Sequence, residues 1–267
     1  MELLSTRQND FSPLAFIVCG FEKSGTTLLN EIFRRHPGLD SGHEVGALLG
    51  VSPRTFKAHQ PYYNFCMQTW RLQASELEHI CDTDNWSNFY RRILEISPLI
   101  SNKNVQLFDK TPIYMKYLDL VLNRVPRVPC VVNVRDPRAV MHSWANWSGH
   151  RDDPEKWLVE NFHSNCERYL SYGLGYRRAL INHDRYIFLN RFEDLCMDPM
   201  LVLTRIFKFL GFEFAAEFLQ FESEHFVYGN SVSAKYIDEY SGVFSQKLCR
   251  EILSATAEFK EWHFSYS

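Results

Sequence analysis

The stretch from Phe16 to Leu29 constrains the fold of this 267-residue chain more than any other part of it. A short apolar run that ends at Gly20 predicts a buried strand, and a helical pattern begins at Thr26. The polar turn between them offers backbone N–H groups to an anion, and the dipole of the following helix also favours negative charge. This segment therefore predicts a phosphate-binding loop. The loop residues are Lys23, Ser24, Gly25, Thr26 and Thr27.

The position of the lysine separates two kinds of phosphate chemistry. The loop of a nucleotide triphosphatase ends in Gly-Lys-Ser/Thr, where the lysine contacts the terminal phosphates and the hydroxyl binds Mg²⁺. Here Gly20 and Gly25 have the glycine spacing of that loop, but Thr26 stands where the lysine belongs. The sequence therefore argues against an ATP–Mg²⁺ site. Taken alone, the loop also fits a plain polar turn in which Thr26 caps the helix.

Alternating strand and helix patterns predict an α/β fold. Three further apolar runs, each followed by a helical pattern, predict strands at Val105–Phe108, Cys130–Val134 and Tyr186–Asn190. Strands that alternate with helices form a parallel sheet with helices on both faces. Ligands bind such sheets at the carboxyl ends of the strands, so residues at those ends are the candidates for function.

Length and composition favour one domain. With 45% apolar residues, the chain has enough material for a single large core. We predict that residues 1–14 form an amino-terminal tail and that residues 15–267 form this domain. The helical, aromatic-rich residues 45–100 are expected to form an acceptor or lid region over the ligand-binding edge of the sheet.

Charge and cysteine content narrow the partners and the location. The formal net charge of −3 gives no overall basic field for nucleic acid, so any anion site must be local. Seven dispersed cysteines without a Cys-x-x-Cys pair favour reduced thiols over a disulfide framework or a zinc site. The amino terminus is too polar for a signal peptide, and no stretch approaches the roughly 18 apolar residues of a membrane span. These features predict a cytoplasmic, metal-free protein of open oligomeric state.

Two other polar segments follow predicted strands. Arg135 comes directly after a strand, and Ser143 lies about two turns into the next helix. An arginine fork and a hydroxyl suit a second phosphate. Arg135 paired with Asp136 or a nearby carboxylate, and Ser143 bonded to its own helix, fit the residues equally well. Lys110 also follows a strand, where it would either neutralise a transferred group or lie at the surface.

Together these segments resemble the sulfotransferases that use 3′-phosphoadenosine 5′-phosphosulfate (PAPS). The Lys23–Thr27 loop is similar to their 5′-phosphosulfate loop, and Arg135 and Ser143 match the arginine and serine of their 3′-phosphate motif. The resemblance covers residues 15–211 with gaps, and implies a P-loop-like α/β fold with a central parallel sheet. Three further segments resemble parts of this family: Asp109–Pro112, Arg191–Met200 and Phe207–Gly211.

The resemblance implies transfer of a sulfuryl group from PAPS to a hydroxyl acceptor, with release of 3′,5′-ADP and no metal. The acceptor class stays open among carbohydrates, tyrosine or other phenols, and small-molecule alcohols. In this scheme Lys23 and Lys110 stabilise the charge of the transferred group, and the loop holds the 5′-phosphate. Arg135 and Ser143 hold the 3′-phosphate. Phe192 would contact the adenine. Its position after a strand is equally typical of a core residue.

The general base has two candidates. The segment from His36 to Glu44 is most similar to the tyrosylprotein and carbohydrate branches of the family, where Glu44 takes the place of the catalytic carboxylate. This chain has His43 in front of it instead of a second glutamate. Either side chain is able to take a proton from a hydroxyl; a carboxylate needs burial to raise its pKa, and a histidine needs the correct tautomer. Glu44 is the first choice.

Two rival functions remain at this stage. A P-loop-like nucleotide or small-molecule kinase would turn over ATP with Mg²⁺ and ignore 3′,5′-ADP. A non-catalytic nucleotide-binding domain would bind the nucleotide without transfer to any acceptor. The presence of candidate lysine, arginine, serine and base residues together argues against the second rival.

Overall fold

A parallel β-sheet forms the centre of the protein. The computed structural model describes residues 13–220 and 232–263. The strands in these ranges are β1 (Leu14–Gly20), β2 (Leu39–Asp40), β3 (Gln106–Lys110), β4 (Cys130–Val134) and β5 (Ile187–Arg191). They pair in the order β2-β3-β1-β4-β5, and every pair is parallel. The predicted α/β fold with a central parallel sheet is confirmed.

Helices cover both faces of this sheet. The α-helices of the described residues are α1 (Thr26–Phe33), α2 (Tyr62–Thr69), α3 (Ala74–Cys81), α4 (Trp86–Ile96), α5 (Leu118–Arg124), α6 (Pro137–Trp147), α7 (Pro154–Glu160), α8 (Phe162–His183), α9 (Phe192–Met197), α10 (Pro199–Leu210) and α11 (Gln246–Ala255). Shorter 3₁₀ segments lie at Ala47–Leu49, Pro53–Ala58, Pro112–Tyr117, Asp184–Tyr186, Ala216–Leu219 and Ala234–Tyr236.

The alternation of side chains along the strands divides the core into two layers. Phe16 and Val18 of β1 point to one face, where they pack with residues of α1, α9 and α10. Ile17 and Cys19 point to the other face and join a larger cluster with α4, α5, α6 and α8. Because successive residues of a strand face opposite sides, a strand covered on both faces is apolar throughout.

Helix ends follow the signals of the sequence in several places. Asp153 accepts a hydrogen bond from the backbone N–H of Lys156 at the start of α7, and Pro154 occupies the first helical position. Gly211 ends α10 in the left-handed conformation at φ 81°. α7 and α8 are separated at Asn161, whose φ of −116° is not helical.

The structure also corrects the predicted strands. β1 begins at Leu14, so the predicted tail is one residue too long at its end, and residues 1–12 lie outside the described residues. The two-residue strand β2 was not predicted. Asp109 and Lys110 belong to β3 and do not follow it, because their backbones continue the parallel pairing with β1. Residues 45–100 contain α2, α3, α4 and two 3₁₀ segments, and their role as an acceptor or lid region stays a prediction.

The cysteines and the helices bear on two further predictions. All seven cysteines are free thiols, and the sulfur atoms of Cys19 and Cys130 lie 3.6 Å apart in the core. None of the helices in the described ranges has both the length and the apolar character that crossing a membrane requires.

Candidate active site

The carboxyl ends of all five strands surround one cavity. Its volume is about 640 Å³, and its wall includes residues that directly follow β1, β2, β4 and β5. These residues are Lys23, Gly25, Thr26, Thr27, His43, Glu44, Arg135 and Phe192. The sequence analysis singled out each of them. A parallel sheet brings its strand ends to one edge, and this geometry assembles a site from distant segments.

The loop after β1 is held in shape by Ser24. Its hydroxyl donates to the carbonyl oxygens of Phe21 at 2.7 Å and Asn133 at 2.9 Å, and its backbone N–H donates to Phe21 at 3.1 Å. Ser24 is fully buried and does not line the cavity. Ser24 therefore stabilises the loop. A phosphate contact, as predicted for Ser24, needs a hydroxyl at the cavity wall, and this hydroxyl instead bonds backbone carbonyl oxygens.

Backbone conformation gives the loop its curvature. Lys23 has a φ of 70° and Gly25 a φ of 91°, both in the left-handed region that favours glycine. Gly25 is the N-cap of α1, and no side chain caps this helix. The alternative reading of Thr26 as an N-cap is wrong. The amino end of α1 is thus left without a capping oxygen and opens toward the cavity.

Phe192 and Arg135 form a stacked wall beside this loop. The Arg135 guanidinium carbon lies 4.4 Å from the centroid of the Phe192 ring. A Cβ atom on Gly25 would lie 2.5 Å from Cδ2 of the same ring, so only a glycine permits this approach. Phe192 is 5% exposed and also lines the cavity. It is therefore both a core residue and a residue of the cavity wall, the two alternatives that the sequence left open.

Arg135 connects three segments. Its Nη1 donates to the carbonyl oxygen of Lys23 at 2.9 Å, and its Nη2 donates to the carbonyl of Tyr236 and to Glu239 Oε2 at 3.3 Å. Its Nε is buried without a partner among the described residues. Of the two alternatives for Arg135, the pairing with Asp136 is not formed, and Asp136 pairs with Arg138. The pairing with another carboxylate is formed, with Glu239.

Ser143 is the one member of the predicted phosphate pair that does not reach the cavity. It is buried on α6, 7% exposed, and does not line the wall. Trp144 and Trp147 of the same helix do line it. Of the predicted pair, Arg135 therefore belongs to the cavity wall and Ser143 does not.

Glu44, on the cavity wall, forms an ion pair with Lys110. Lys110 Nζ lies 3.1 Å from Glu44 Oε1, and the lysine side chain is only 2% exposed. Lys110 does not line the cavity itself, whereas Glu44 does. The ammonium group of Lys110 therefore contacts the Glu44 carboxylate and is not part of the cavity wall.

A buried hydrogen-bond network fixes the segment after Glu44. The carboxylate of Asp109 accepts from the hydroxyls of Tyr90, Tyr114 and Thr111 at 2.6, 2.9 and 2.7 Å. Thr111 Oγ1 in turn accepts from the backbone N–H groups of residues 45 and 46, at 3.1 and 3.2 Å. Burial raises the pKa of Asp109, and the three hydroxyl donors oppose that rise. The network ties the Glu44 segment to β3.

Three polar groups of the cavity wall have shifted pKa values. Burial, and secondarily the charge of Lys110, lower the pKa of His43, which favours its neutral form. Burial and the nearby carboxylates raise the pKa of Tyr62 to about 12, so it is a neutral hydroxyl at pH 7. Burial also lowers the pKa of Lys23, an effect that Glu44 and Glu22 oppose.

Several wall residues were not predicted. They are Glu22, Arg168, Tyr236 and Glu239. Glu22 stands next to Lys23 in the sequence, so its position in the loop was a usable signal. Arg168 and Glu239 reach the site from α8 and from the segment after Ala234–Tyr236, and no local pattern marks them.

The parallel sheet carries a cavity at its strand ends, lined by the loop that precedes α1. Comparison with known proteins identifies the family. The chain belongs to the sulfotransferase family, whose model matches residues 13–216. The predicted family membership is thereby confirmed.

Individual relatives and structures are more distant. The chain is 25% identical to protein-tyrosine sulfotransferase of Drosophila melanogaster over 209 residues, which make up 74% of this chain and 38% of that protein. It thus spans well under half the length of that relative.

Two solved structures share the fold. The sulfotransferase domain from the curacin biosynthetic pathway superposes with a TM-score of 0.61 at 17% identity, covering 92% of this chain and 98% of that one. Mouse sulfotransferase SULT7A1, complexed with PAP, has a TM-score of 0.53 at 14% identity, covering 92% and 84%.

Proposed function

We propose that the protein transfers a sulfuryl group from PAPS to a hydroxyl acceptor and releases 3′,5′-ADP. The observation that carries this proposal is the presence of two anion-binding groups on one cavity. The open amino end of α1 with Lys23 provides one, and Arg135 provides the other. A donor with phosphates at both its 5′ and 3′ positions requires two such groups. Membership in the sulfotransferase family supports this assignment.

The residues of the cavity fit such a donor. The backbone amides around Gly25 and the side chains of Thr26 and Thr27 suit the 5′-phosphate. Arg135, with a buried Nε that lacks a described partner, suits the 3′-phosphate. Phe192 lies between the two groups, where an aromatic ring would contact the adenine. The similar fold of a sulfotransferase complexed with PAP is consistent with this arrangement.

The chemistry follows from these positions. The acceptor oxygen forms a bond to sulfur while the bond from sulfur to the bridging phosphate oxygen breaks, and 3′,5′-ADP leaves with the electron pair. Lys23 stabilises the charge that develops on the sulfuryl and leaving oxygens. Glu44 accepts the proton of the acceptor hydroxyl, and Lys110 holds the Glu44 carboxylate in place. His43, in its neutral form, lies next to this base.

The aromatic residues of the cavity wall favour an aromatic hydroxyl as the acceptor. Tyr62, Phe65, Trp144 and Trp147 line the cavity. Trp147 is 68% exposed, and its ring centroid lies 5.3 Å from Lys23 Nζ, beside the donor loop. Flat aromatic groups pack well against such a wall. A relative named for protein-tyrosine sulfation is in agreement with a phenolic acceptor. The single-domain arrangement over residues 15–267 and the cytoplasmic location stay predictions.

A transfer assay tests the proposal. The protein is incubated with PAPS and a tyrosine-containing peptide, a simple phenol or a sugar, and both 3′,5′-ADP release and acceptor mass are measured. We expect sulfated phenol or tyrosine, and none with a Lys23→Met variant. Turnover of ATP with Mg²⁺ in place of PAPS would instead support a kinase. Binding of 3′,5′-ADP without transfer to any acceptor would support a non-catalytic domain.

A further inference from the structure

The donor loop contains a carboxylate that opposes its own ligand. Glu22 directly precedes Lys23 and lines the cavity. A negative charge in this position repels a phosphosulfate group in the same loop. The charge of Glu22 also acts on Lys23, because it opposes the lowering of the pKa of that lysine by burial.

Arg168 provides the countercharge from another part of the fold. Its Nη2 lies 2.5 Å from Glu22 Oε2, although 146 positions separate the two residues. The guanidinium carbon also lies 4.3 Å from the centroid of the Trp144 ring, which holds it over the indole of α6. Arg168 therefore joins α8, α6 and the donor loop at the wall of the cavity.

We propose that Arg168 is a positioning residue for the donor, which neutralises Glu22 and so keeps the loop able to accept a 5′-phosphate. This inference rests on the proposed function and adds to it a determinant of donor affinity in α8. The side chains of the pair are 36% and 29% exposed, so water weakens their attraction. The effect of Arg168 is accordingly expected on ligand affinity more than on stability.

A double-mutant cycle tests the inference by calorimetric titration with 3′,5′-ADP. We expect Arg168→Gln to weaken binding about fivefold to tenfold, because it leaves Glu22 uncompensated beside the phosphate. Glu22→Gln alone is expected to bind more tightly than the wild type. The double variant Glu22→Gln/Arg168→Gln is expected to return close to the wild type, which a purely structural role of Arg168 does not predict.

Two controls identify the part of the ligand that responds. Adenosine 3′-phosphate lacks the 5′-phosphate, so its affinity should change little in Arg168→Gln. Lys57→Gln breaks a comparable exposed ion pair with Glu78, which is not part of the cavity wall, and should leave 3′,5′-ADP affinity unchanged.

The outcomes separate this inference from the proposed function. If the wild type does not bind 3′,5′-ADP, the proposed function itself is wrong. If the wild type binds and Arg168→Gln binds equally well, only the role of Arg168 is overturned. A double variant that stays as weak as Arg168→Gln also overturns it, because Arg168 would then act on the ligand or the fold without Glu22. If Arg168→Gln does not fold, Glu22→Gln still tests the inference. Tighter binding of 3′,5′-ADP by Glu22→Gln supports it, and unchanged or weaker binding overturns it.

Discussion

Nη2 of Arg135 lies 3.3 Å from Oε2 of Glu239. A carboxylate of the protein itself therefore pairs with the guanidinium group that we propose binds the 3′-phosphate. The arginine side chain is 6% exposed and the glutamate 29% exposed. The same pattern recurs around the cavity, where Lys110 pairs with Glu44 and Arg168 with Glu22. Carboxylates of the protein thus pair with cationic side chains at three places around the cavity.

The Arg135–Glu239 pair predicts a variant with improved binding. Glu239→Gln removes the negative charge that competes with the 3′-phosphate, and we expect affinity for 3′,5′-ADP to rise about threefold to tenfold. Affinity for 5′-AMP, which lacks the 3′-phosphate, should change less. Isothermal titration with both nucleotides measures the difference. Weaker binding of 3′,5′-ADP by the variant would show that Glu239 contacts the donor.

The assignment of the base predicts a separation of binding from turnover. Glu44→Gln should reduce the rate of transfer by at least about a hundredfold, because general-base catalysis is lost. Its affinity for 3′,5′-ADP should stay within about twofold of the wild type. His43→Gln, the matched control, should retain most of the rate. Rapid turnover by Glu44→Gln together with loss of activity in His43→Gln would reverse the assignment.

The approach of Phe192 to the loop predicts a sensitive glycine. Gly25→Ala combines a left-handed φ of 91° with a Cβ atom 2.5 Å from the ring, so we expect a stability loss of about 2 kcal/mol or more and weaker nucleotide binding. Gly149 has a similar φ of 88°, but a Cβ there meets nothing within 4 Å. Denaturant unfolding should therefore show a smaller loss for Gly149→Ala, and equal losses would contradict the role of the contact.

The network behind Glu44 predicts a positional effect on catalysis. Thr111→Val leaves two buried N–H groups without their acceptor and should lower stability by about 2–4 kcal/mol. It should also lower the rate of transfer while 3′,5′-ADP affinity persists, because the Glu44 segment loses its tie to β3. Thr111→Ser should restore both properties. Thr204→Val, on the exposed side of α10, is the control. Failure of the serine variant to restore the rate would argue against the network.

The lowered pKa of His43 predicts acid sensitivity. The folded-state pKa lies below the ordinary value of 6.5, so the unfolded chain binds the proton first as pH falls. The stability that the neutral imidazole contributes is therefore complete above pH 6.5 and is lost as pH falls through the folded-state pKa.

Unfolding free energies measured between pH 5 and pH 7.5 check this expectation, over a range chosen around that ordinary pKa. His43→Gln should show a shallower loss in acid than the wild type. Some slope should remain, because burial also lowers the pKa values of His36 and His142. His163→Gln, at an exposed position, should follow the wild type. A wild-type slope in His43→Gln would exclude the imidazole as its source.

Parts of the fold were predictable because local signals were strong. β4 was predicted with its observed bounds, since all five of its residues are apolar or buried and Pro129 and Arg135 delimit them. The residues at the strand ends followed from the rule that parallel strands meet at one edge. The strand β2 was missed because two residues are too short to show a periodicity.

The parts of the site that were not predictable depend on tertiary proximity. Arg135 meets Glu239 across 104 positions, and Glu22 meets Arg168 across 146. Ser143 was placed in the site from its spacing, but it is buried on α6 and does not line the cavity, whereas the neighbouring Trp144 does. No residue pattern in one segment specifies which face of a distant helix it will meet.

Titration of 3′,5′-ADP into the wild type and Arg135→Ala tests the central claim most directly. We predict micromolar-class binding by the wild type and a loss of about a hundredfold or more in the variant, since a charged partner of a phosphate contributes about 3 kcal/mol. Arg138→Ala, which removes an arginine paired with Asp136 and absent from the cavity wall, should bind like the wild type. Absence of binding by the wild type, or equal binding by Arg135→Ala, would contradict the account.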